Sequence, residues 1–148
     1  MDDKNKEKLT KILSGSQKYS REALVHRINE NKEAMNKNEI ISILKFSEGG
    51  IIESNIKSLL EVFNYLLVNY PEKDVHNQIL LIISNLSQKS INYDKKGICE
   101  ILVNIFRQSP SDENRRKSAV LMKDKGMGRN IRSILNEQEM NEYKAYLS

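Results

Sequence analysis

The sequence contains no tryptophan, one cysteine and two prolines in 148 residues. Because Cys99 has no second cysteine to pair with, an intrachain disulfide and a cysteine-based metal cage within one chain are excluded, which fits a reducing cytosol or nucleus. The longest uninterrupted apolar run, residues 79–83, is far shorter than the roughly 20 residues that cross a bilayer. Residues 1–14 are charged where a secretory signal needs an apolar segment. We therefore expect a soluble, unexported protein.

The residues that usually carry chemistry are isolated in this sequence. His26 and His76 have no second ligand-type residue at metal spacing, so both are expected to be surface histidines. Cys99 lies just off an apolar stripe and is expected to pack rather than to react. The glycines of residues 126–128 are typical of a helix C-terminus, because no strand precedes them as a nucleotide-binding loop requires. We predict a protein that is not an enzyme and binds no cofactor or metal.

The apolar residues fall into stripes with the i, i+3, i+4, i+7 spacing of buried helix faces, and Pro71 and Pro110 separate them. No useful segment alternates with the period of two that a strand requires, so no sheet is expected. The stripes are Leu24, Val25, Ile28 and Met35; Ile40, Ile43 and Leu44; Ile52, Ile56, Leu59, Leu60, Phe63, Leu67 and Tyr70; Val75, Ile79, Ile82, Ile83 and Leu86; Ile98, Ile101, Leu102, Ile105 and Phe106; Ile131, Ile134 and Leu135; and Met140, Tyr143 and Leu147.

Capping residues predict where several of these helices begin and end. A Ser, Asp or Asn side chain before a helix can accept a hydrogen bond from a free amide of its first turn, and a glycine after a helix can adopt the left-handed conformation that ends it. The predicted N-caps are Asp74, Asp94, Ser111 and Asn36, the last in a capping box with Glu39, and the predicted stop is Gly126.

Residues 56–85 and 98–125 show a weak self-similarity with a period of roughly 40, the size of paired-helix repeats. We predict an all-α fold, namely a single domain of about eight helices in a short, right-handed HEAT- or armadillo-like stack over residues 15–148. The first 14 residues are expected to be flexible or partly helical. A helical stack with capped ends needs no second copy to fold, so a monomer is expected.

A basic patch follows the second proline. It comprises Arg115, Arg116, Lys117, Lys123, Lys125, Arg129 and Arg132, opposed mainly by Glu113 and Asp124. One interpretation is a solvated helix face with cations near a helix C-terminus. The other is salt-sensitive, sequence-blind contact with phosphates or an acidic peptide, because no aromatic residues interleave with the cations to stack on bases.

Several short motifs follow one another in the second half of the chain. They are Asn77-Gln78-Ile79-Leu80-Leu81-Ile82-Ile83-Ser84-Asn85-Leu86, Lys96-Gly97-Ile98-Cys99, Glu113-Asn114-Arg115, Leu121-Met122 and Arg129-Asn130-Ile131. Their order and spacing resemble the conserved core of the Iws/Spn family of transcription elongation factors, which accompany the Spt-six histone chaperone and belong to the TFIIS N-terminal-like class. Residues 24–44 also resemble the family's opening helix and turn, so roughly three quarters of the chain is covered. The family's tryptophan is replaced here by Lys125 or Met127.

The resemblance implies a nuclear, non-enzymatic factor that acts during RNA polymerase II elongation. It implies that the helical core binds a short, largely disordered acidic and aromatic segment near the N-terminus of the Spt-six chaperone, with only indirect contact to the polymerase. We place the predicted partner surface on the outward side of the helix after Asp94, where Val103 is apolar but off the stripe. This surface comprises Lys95, Lys96, Cys99, Glu100, Val103, Asn104 and Arg107, bordered by Arg115 and Arg116.

Two alternatives remain open from the sequence. The basic patch from Arg115 to Arg132 could make the chain a nucleic-acid-binding adaptor, with weak contacts to nucleic acid or histones. The missing tryptophan also allows a generic helical-repeat scaffold that has no part in transcription.

Overall fold

The computed structural model describes residues 21–47, 51 and 53–148, and every described element is helical. The all-α prediction is therefore confirmed, with nine α-helices among the described residues against about eight predicted. The predicted N-terminal segment, residues 1–14, and Ile52 lie outside the described residues. The chain has two compact units, Met1–Tyr70 and Pro71–Ser148.

The first unit contains helices α1 (Arg21–Asn31), α2 (Lys37–Ser47) and α3 (Ile56–Asn69), with short 3-10 turns at Lys32–Ala34 and Glu53–Asn55. The predicted capping box at the start of α2 is present. The Asn36 amide donates to Glu39 Oε1 (3.0 Å), and the Glu39 amide donates to Asn36 Oδ1 (2.9 Å). The predicted stripes of this unit form its core, which includes Leu24, Val25, Ile28, Ile40, Ile43, Leu44, Ile56, Leu59 and Phe63.

Polar contacts show that α1 and α3 run parallel. His26 Nδ1 lies 2.7 Å from Ser58 Oγ, and Asn29 Nδ2 donates to Glu61 Oε2 at 2.6 Å. Both pairs are 32 residues apart in the chain, so the two helices advance in the same direction. His26 is half-buried and takes part in this contact between helices.

The second unit contains six helices: α4 (Lys73–Asn85), α5 (Gln88–Tyr93), α6 (Lys95–Gln108), α7 (Asp112–Asp124), α8 (Gly128–Ile134) and α9 (Glu137–Leu147). The predicted N-caps of α6 and α7 are confirmed. Asp94 accepts from the Gly97 amide (3.0 Å), and Ser111 accepts from the Asn114 amide (3.2 Å). None of the described helices is long and apolar enough to cross a membrane.

The predicted N-cap of α4 is wrong. Glu72 occupies the N-cap position, and Asp74 lies in the first turn, where its charge still favours the helix dipole. The predicted stop at Gly126 is confirmed, because its φ of 75° is the left-handed conformation that glycine adopts without a Cβ clash.

Helix α6 lies at the centre of the second unit, where α4, α5, α7 and α8 all pack against it. Buried residues therefore surround much of its circumference, rather than forming the single stripe that the sequence predicts. They are Ile98, Cys99, Ile101, Leu102, Val103, Ile105 and Phe106.

Helices α4 and α7 run parallel at an offset of about 40 residues. Asn114 Nδ2 donates to the Lys73 carbonyl (3.1 Å), and Lys117 Nζ donates to Asn77 Oδ1 (3.1 Å). Just beyond the two helices, Lys125 Nζ donates to the Leu86 carbonyl (3.4 Å). These pairs are 41, 40 and 39 residues apart, so the self-similarity in the sequence corresponds to a physical pair of helices. The right-handed HEAT-like stack remains a prediction.

Candidate functional site

Two residues of the predicted partner surface are in the core instead. Cys99 and Val103 are 0% and 1% exposed, so the expectation that they face a partner is wrong. The reason is the central position of α6, which leaves no outward side at these two positions. Burial raises the pKa of the Cys99 thiol to about 11, which keeps it protonated and unreactive at neutral pH.

Arg107, also assigned to the partner surface, forms a bond between helices. Its Nε donates to Glu139 Oε2 at 2.6 Å, and its Nη2 donates to Glu139 Oε1 at 3.0 Å and to the Ile134 carbonyl at 3.1 Å. The hydrogen bond from Arg107 lowers the pKa of Glu139. Glu139 also closes a capping box with Asn136, so this arginine holds the start of α9 against the end of α6.

Two further cations of the predicted surface bind backbone carbonyls. Lys95 Nζ lies 3.5 Å from the Gly126 carbonyl, and Arg115 Nε donates to the Ser109 carbonyl at 3.1 Å. Both side chains are half-buried. Of the remaining assigned residues of α6, Lys96 and Glu100 are exposed and Asn104 is half-buried.

His76 is buried, so its predicted place on the surface is wrong. Helix α4 is apolar on more than one face, and His76 points into the interior with neither ring nitrogen hydrogen-bonded. Burial lowers its pKa, so the imidazole is neutral. In the described part of the chain, no three His, Cys, Asp or Glu residues come together as metal ligands would.

A groove of about 480 Å³ opens between the parallel helices α4 and α7. Its lining residues recur at helical spacing on both sides, so each helix presents one continuous face to the groove. These residues are Asn77, Leu80, Leu81 and Ser84 from α4, and Arg116, Lys117, Val120 and Leu121 from α7.

The groove is apolar along most of its length. Leu80 is 2% exposed, whereas Leu81 and Val120 are 47% and 38% exposed. Exposed apolar side chains that gather in one concave surface, rather than being scattered singly, are typical of a site that another molecule covers.

One end of the groove is cationic. Lys117 contacts Glu113 Oε1 at 3.2 Å in addition to Asn77, and both charged side chains remain well exposed. The guanidinium of Arg116 lies 5.9 Å from the centroid of the Tyr146 ring, the distance of a cation–π contact.

Tyr146 is itself held in place by two other residues. Its hydroxyl donates to Asp112 Oδ1 (2.5 Å), and its ring meets Phe106 edge-to-face, with ring centroids 5.9 Å apart. The C-terminal helix α9 therefore helps to orient Arg116 at the end of the groove.

The structure divides the predicted basic patch. Arg116 and Lys117 line the groove, while Arg115 and Lys125 bind backbone carbonyls. The other three members are exposed on α7 and α8, namely Lys123, Arg129 and Arg132.

Sequence reasoning missed the apolar residues of the groove. The missed signal is the run of five apolar residues at 79–83, because five consecutive residues point to every side of a helix and one face alone cannot bury them. The apolar run at 119–122, in an otherwise polar helix, is a second signal of the same kind.

Comparison of the chain with family models, with curated proteins and with solved structures returned no match.

Proposed function

We propose that this chain is a non-enzymatic protein-binding module, and that the groove between α4 and α7 holds a short segment of a partner protein. The observation that carries the proposal is the combination of exposed Leu81 and Val120 in one groove with Arg116 and Lys117 at its end. Interaction sites combine apolar surface that excludes water with polar groups that fix orientation.

A rigid groove suits a disordered partner segment. Such a segment loses conformational entropy when it binds. The surface that receives it should therefore be rigid already, so that it loses little further entropy. The groove walls meet this requirement because α4 and α7 are cross-linked by the Asn114–Lys73 and Lys117–Asn77 hydrogen bonds. Both helices also pack on the central helix α6.

For the partner, we propose the N-terminal region of the Spt-six histone chaperone, in keeping with the resemblance to the Iws/Spn family. The chain would then act in the nucleus during RNA polymerase II elongation and contact the polymerase indirectly. An acidic and aromatic segment is chemically suited to an apolar groove with a cationic end, where the charges speed encounter and fix orientation.

A binding titration tests this proposal. The full chain is titrated into a fluorescent peptide from the N-terminal region of the Spt-six chaperone, and fluorescence anisotropy reports the affinity. We expect Leu81→Glu to weaken binding about tenfold or more, because it places a charge in the apolar groove. Val68→Glu is the matched control, since Val68 is 80% exposed and does not line the groove. Equal affinity of the two variants would reject the groove as the site.

Nucleic-acid binding is the second candidate, because Lys123, Arg129 and Arg132 are exposed on neighbouring helices. Phosphate binding predicts a steep loss of affinity for duplex DNA as salt rises. If the chain binds duplex DNA in this way, and ignores the chaperone peptide, the nucleic-acid function replaces the one proposed. Absence of both chaperone and polymerase from a nuclear-extract pull-down would instead favour a scaffold outside transcription.

A further inference from the structure

We infer that the groove receives an amphipathic α-helix of the partner, and that the acidic end of this helix lies beside Arg116 and Lys117. This inference rests on the proposed protein-binding function. The inference specifies the conformation of the bound segment, its direction along the groove and the residues that recognise its charge.

The walls of the groove favour a helical ligand. All backbone groups along the interior of α4 and α7 are used within those helices, so an extended segment would find no partners there for its own amides and carbonyls. The described residues also contain no strand edge that could pair with an extended chain. A helix satisfies its own backbone and needs only apolar surface, which Leu80, Leu81 and Val120 supply.

The length of the groove sets the size of the bound helix. Asn77 and Ser84 are seven residues apart in α4, which corresponds to about 10 Å, or two helical turns. A ligand helix lying along the groove therefore contacts it through apolar residues at i, i+3 or i+4, and i+7.

The charge of the groove gives the ligand a direction. Arg116 and Lys117 line the end that lies towards the N-termini of α4 and α7, where Lys117 Nζ donates to Asn77 Oδ1. Of the acidic residues nearby, Asp112 is bonded to Tyr146, and Glu113 is paired with Lys117 and offsets part of its charge, so Arg116 supplies most of the positive charge at this end. The opposite end, at Ser84 and Leu121, has no cation in its lining.

The same charges disfavour a second copy of this chain as the occupant. A second copy that met this groove with its own groove would bring two cations and no carboxylate in its lining, and each chain has a net charge of +4. Like charges facing each other across an interface oppose association. A partner helix with carboxylates at one end has the complementary charge.

The first test uses a designed peptide of about 15 residues, long enough to populate a helix, with leucines on one face and three glutamates at one end. A matched peptide carries glutamine in place of those glutamates. We expect the acidic peptide to bind the full chain at least about fivefold more tightly than the glutamine peptide, and Arg116→Gln to remove that difference. Val120→Glu should weaken both peptides about tenfold or more. Lys144→Glu is the control, because Lys144 is exposed and does not line the groove.

The second test measures direction. A nitroxide on the acidic end of the peptide broadens the NMR signals of nearby backbone amides. We expect stronger broadening at Asn77 and Arg116 than at Ser84 and Leu121, and the reverse order when the nitroxide is moved to the other end of the peptide. With the nitroxide on the acidic end, broadening centred on Ser84 and Leu121 would overturn the inferred direction.

The outcomes distinguish an error in the inferred ligand from an error in the proposed partner protein. If the designed peptide binds as expected but the chaperone peptide does not, the groove and its ligand chemistry hold, and the proposed partner is wrong. If the designed peptide does not bind, or if the glutamine peptide binds equally well, the inference is overturned. In that case a chaperone peptide that still binds, and whose binding Leu81→Glu weakens, keeps the proposed function and rejects only the acidic helix as the bound form. Formation of a dimer that Val120→Glu abolishes would show that a second copy is the occupant.

Discussion

At the residue scale, His76 places an unbonded imidazole inside the second unit. An isolated histidine in a sequence gives no sign of burial, because histidine is common both on surfaces and in partly buried positions. The structure buries it because α4 is covered on more than one side. Both ring nitrogens lack a hydrogen-bond partner, so the neutral form is favoured and the protonated form would be costly.

His76 should make the protein less stable in mild acid. Its pKa is lowered from the ordinary value of 6.5, so below that pH the unfolded chain takes up a proton that the folded chain does not yet accept. The free energy of unfolding is therefore undiminished above pH 6.5. It falls by up to about 1.4 kcal/mol per pH unit as the pH drops from there towards the folded-state pKa.

Urea unfolding at about pH 7.5 and about pH 5.5 measures this effect. We expect His76→Leu, which replaces the buried polar ring by an apolar side chain, to lose less stability between the two pH values than the unchanged protein. The same loss in both proteins would show that His76 does not titrate differently on unfolding.

Arg107 was predicted to bind a partner, but its side chain instead joins α6 to α9 through Glu139. Its fork to Glu139 is bidentate, but the arginine side chain is 40% exposed, so we expect Arg107→Ala to lower the free energy of unfolding by only about 1 kcal/mol. Arg107→Lys should have a free energy of unfolding close to that of Arg107→Ala, because lysine cannot form the two parallel hydrogen bonds. A double-mutant cycle with Glu139→Ala measures the coupling, and additive effects of the two substitutions would show that the pair contributes nothing.

Among the helices, most of the predicted caps are confirmed, because a cap depends on contacts within a few residues, and Asp74 is the exception. Asn36, Asp94 and Ser111 each accept the predicted N-cap hydrogen bond, and Asn36 does so from Glu39. Cys99 and Val103 were mispredicted because burial depends on how many helices surround α6. The periodicity of one helix reveals its most apolar face, but it does not reveal neighbours that arrive from elsewhere in the chain.

Gly126 should be needed to end α7 and start the turn to α8. Its φ of 75° is a conformation in which an added Cβ approaches the following carbonyl, so we expect Gly126→Ala to destabilise the protein by about 1 kcal/mol. Thermal or urea unfolding measures the change. Gly128→Ala is the control, because Gly128 lacks a positive φ and a Cβ there would meet only the end of the Arg132 side chain, at 3.9 Å. An equal loss of stability in Gly126→Ala and Gly128→Ala would contradict this explanation.

Across the whole molecule, the groove depends on α4 and α7 together, and neither helix forms it alone. The repeat period of roughly 40 residues predicted that two similar helices exist, and the bonds between α4 and α7 show them side by side. The position of the groove could not be predicted, because it depends on which faces of the two helices remain uncovered after α6 packs against both. Leu81 and Val120 are therefore recognised as candidate binding residues only once the fold is known.

NMR mapping on the full chain shows whether the groove between α4 and α7 is the partner-binding surface. The backbone amide signals of the full chain are followed during titration with the peptide from the Spt-six N-terminal region. We predict that the largest shifts belong to the residues that line the groove, with Leu81 and Val120 among them, and that the Val120→Glu variant needs about tenfold more peptide to reach the same shifts. Shifts centred on Lys123, Arg129 and Arg132 instead, or undiminished shifts in the Val120→Glu variant, would contradict this prediction.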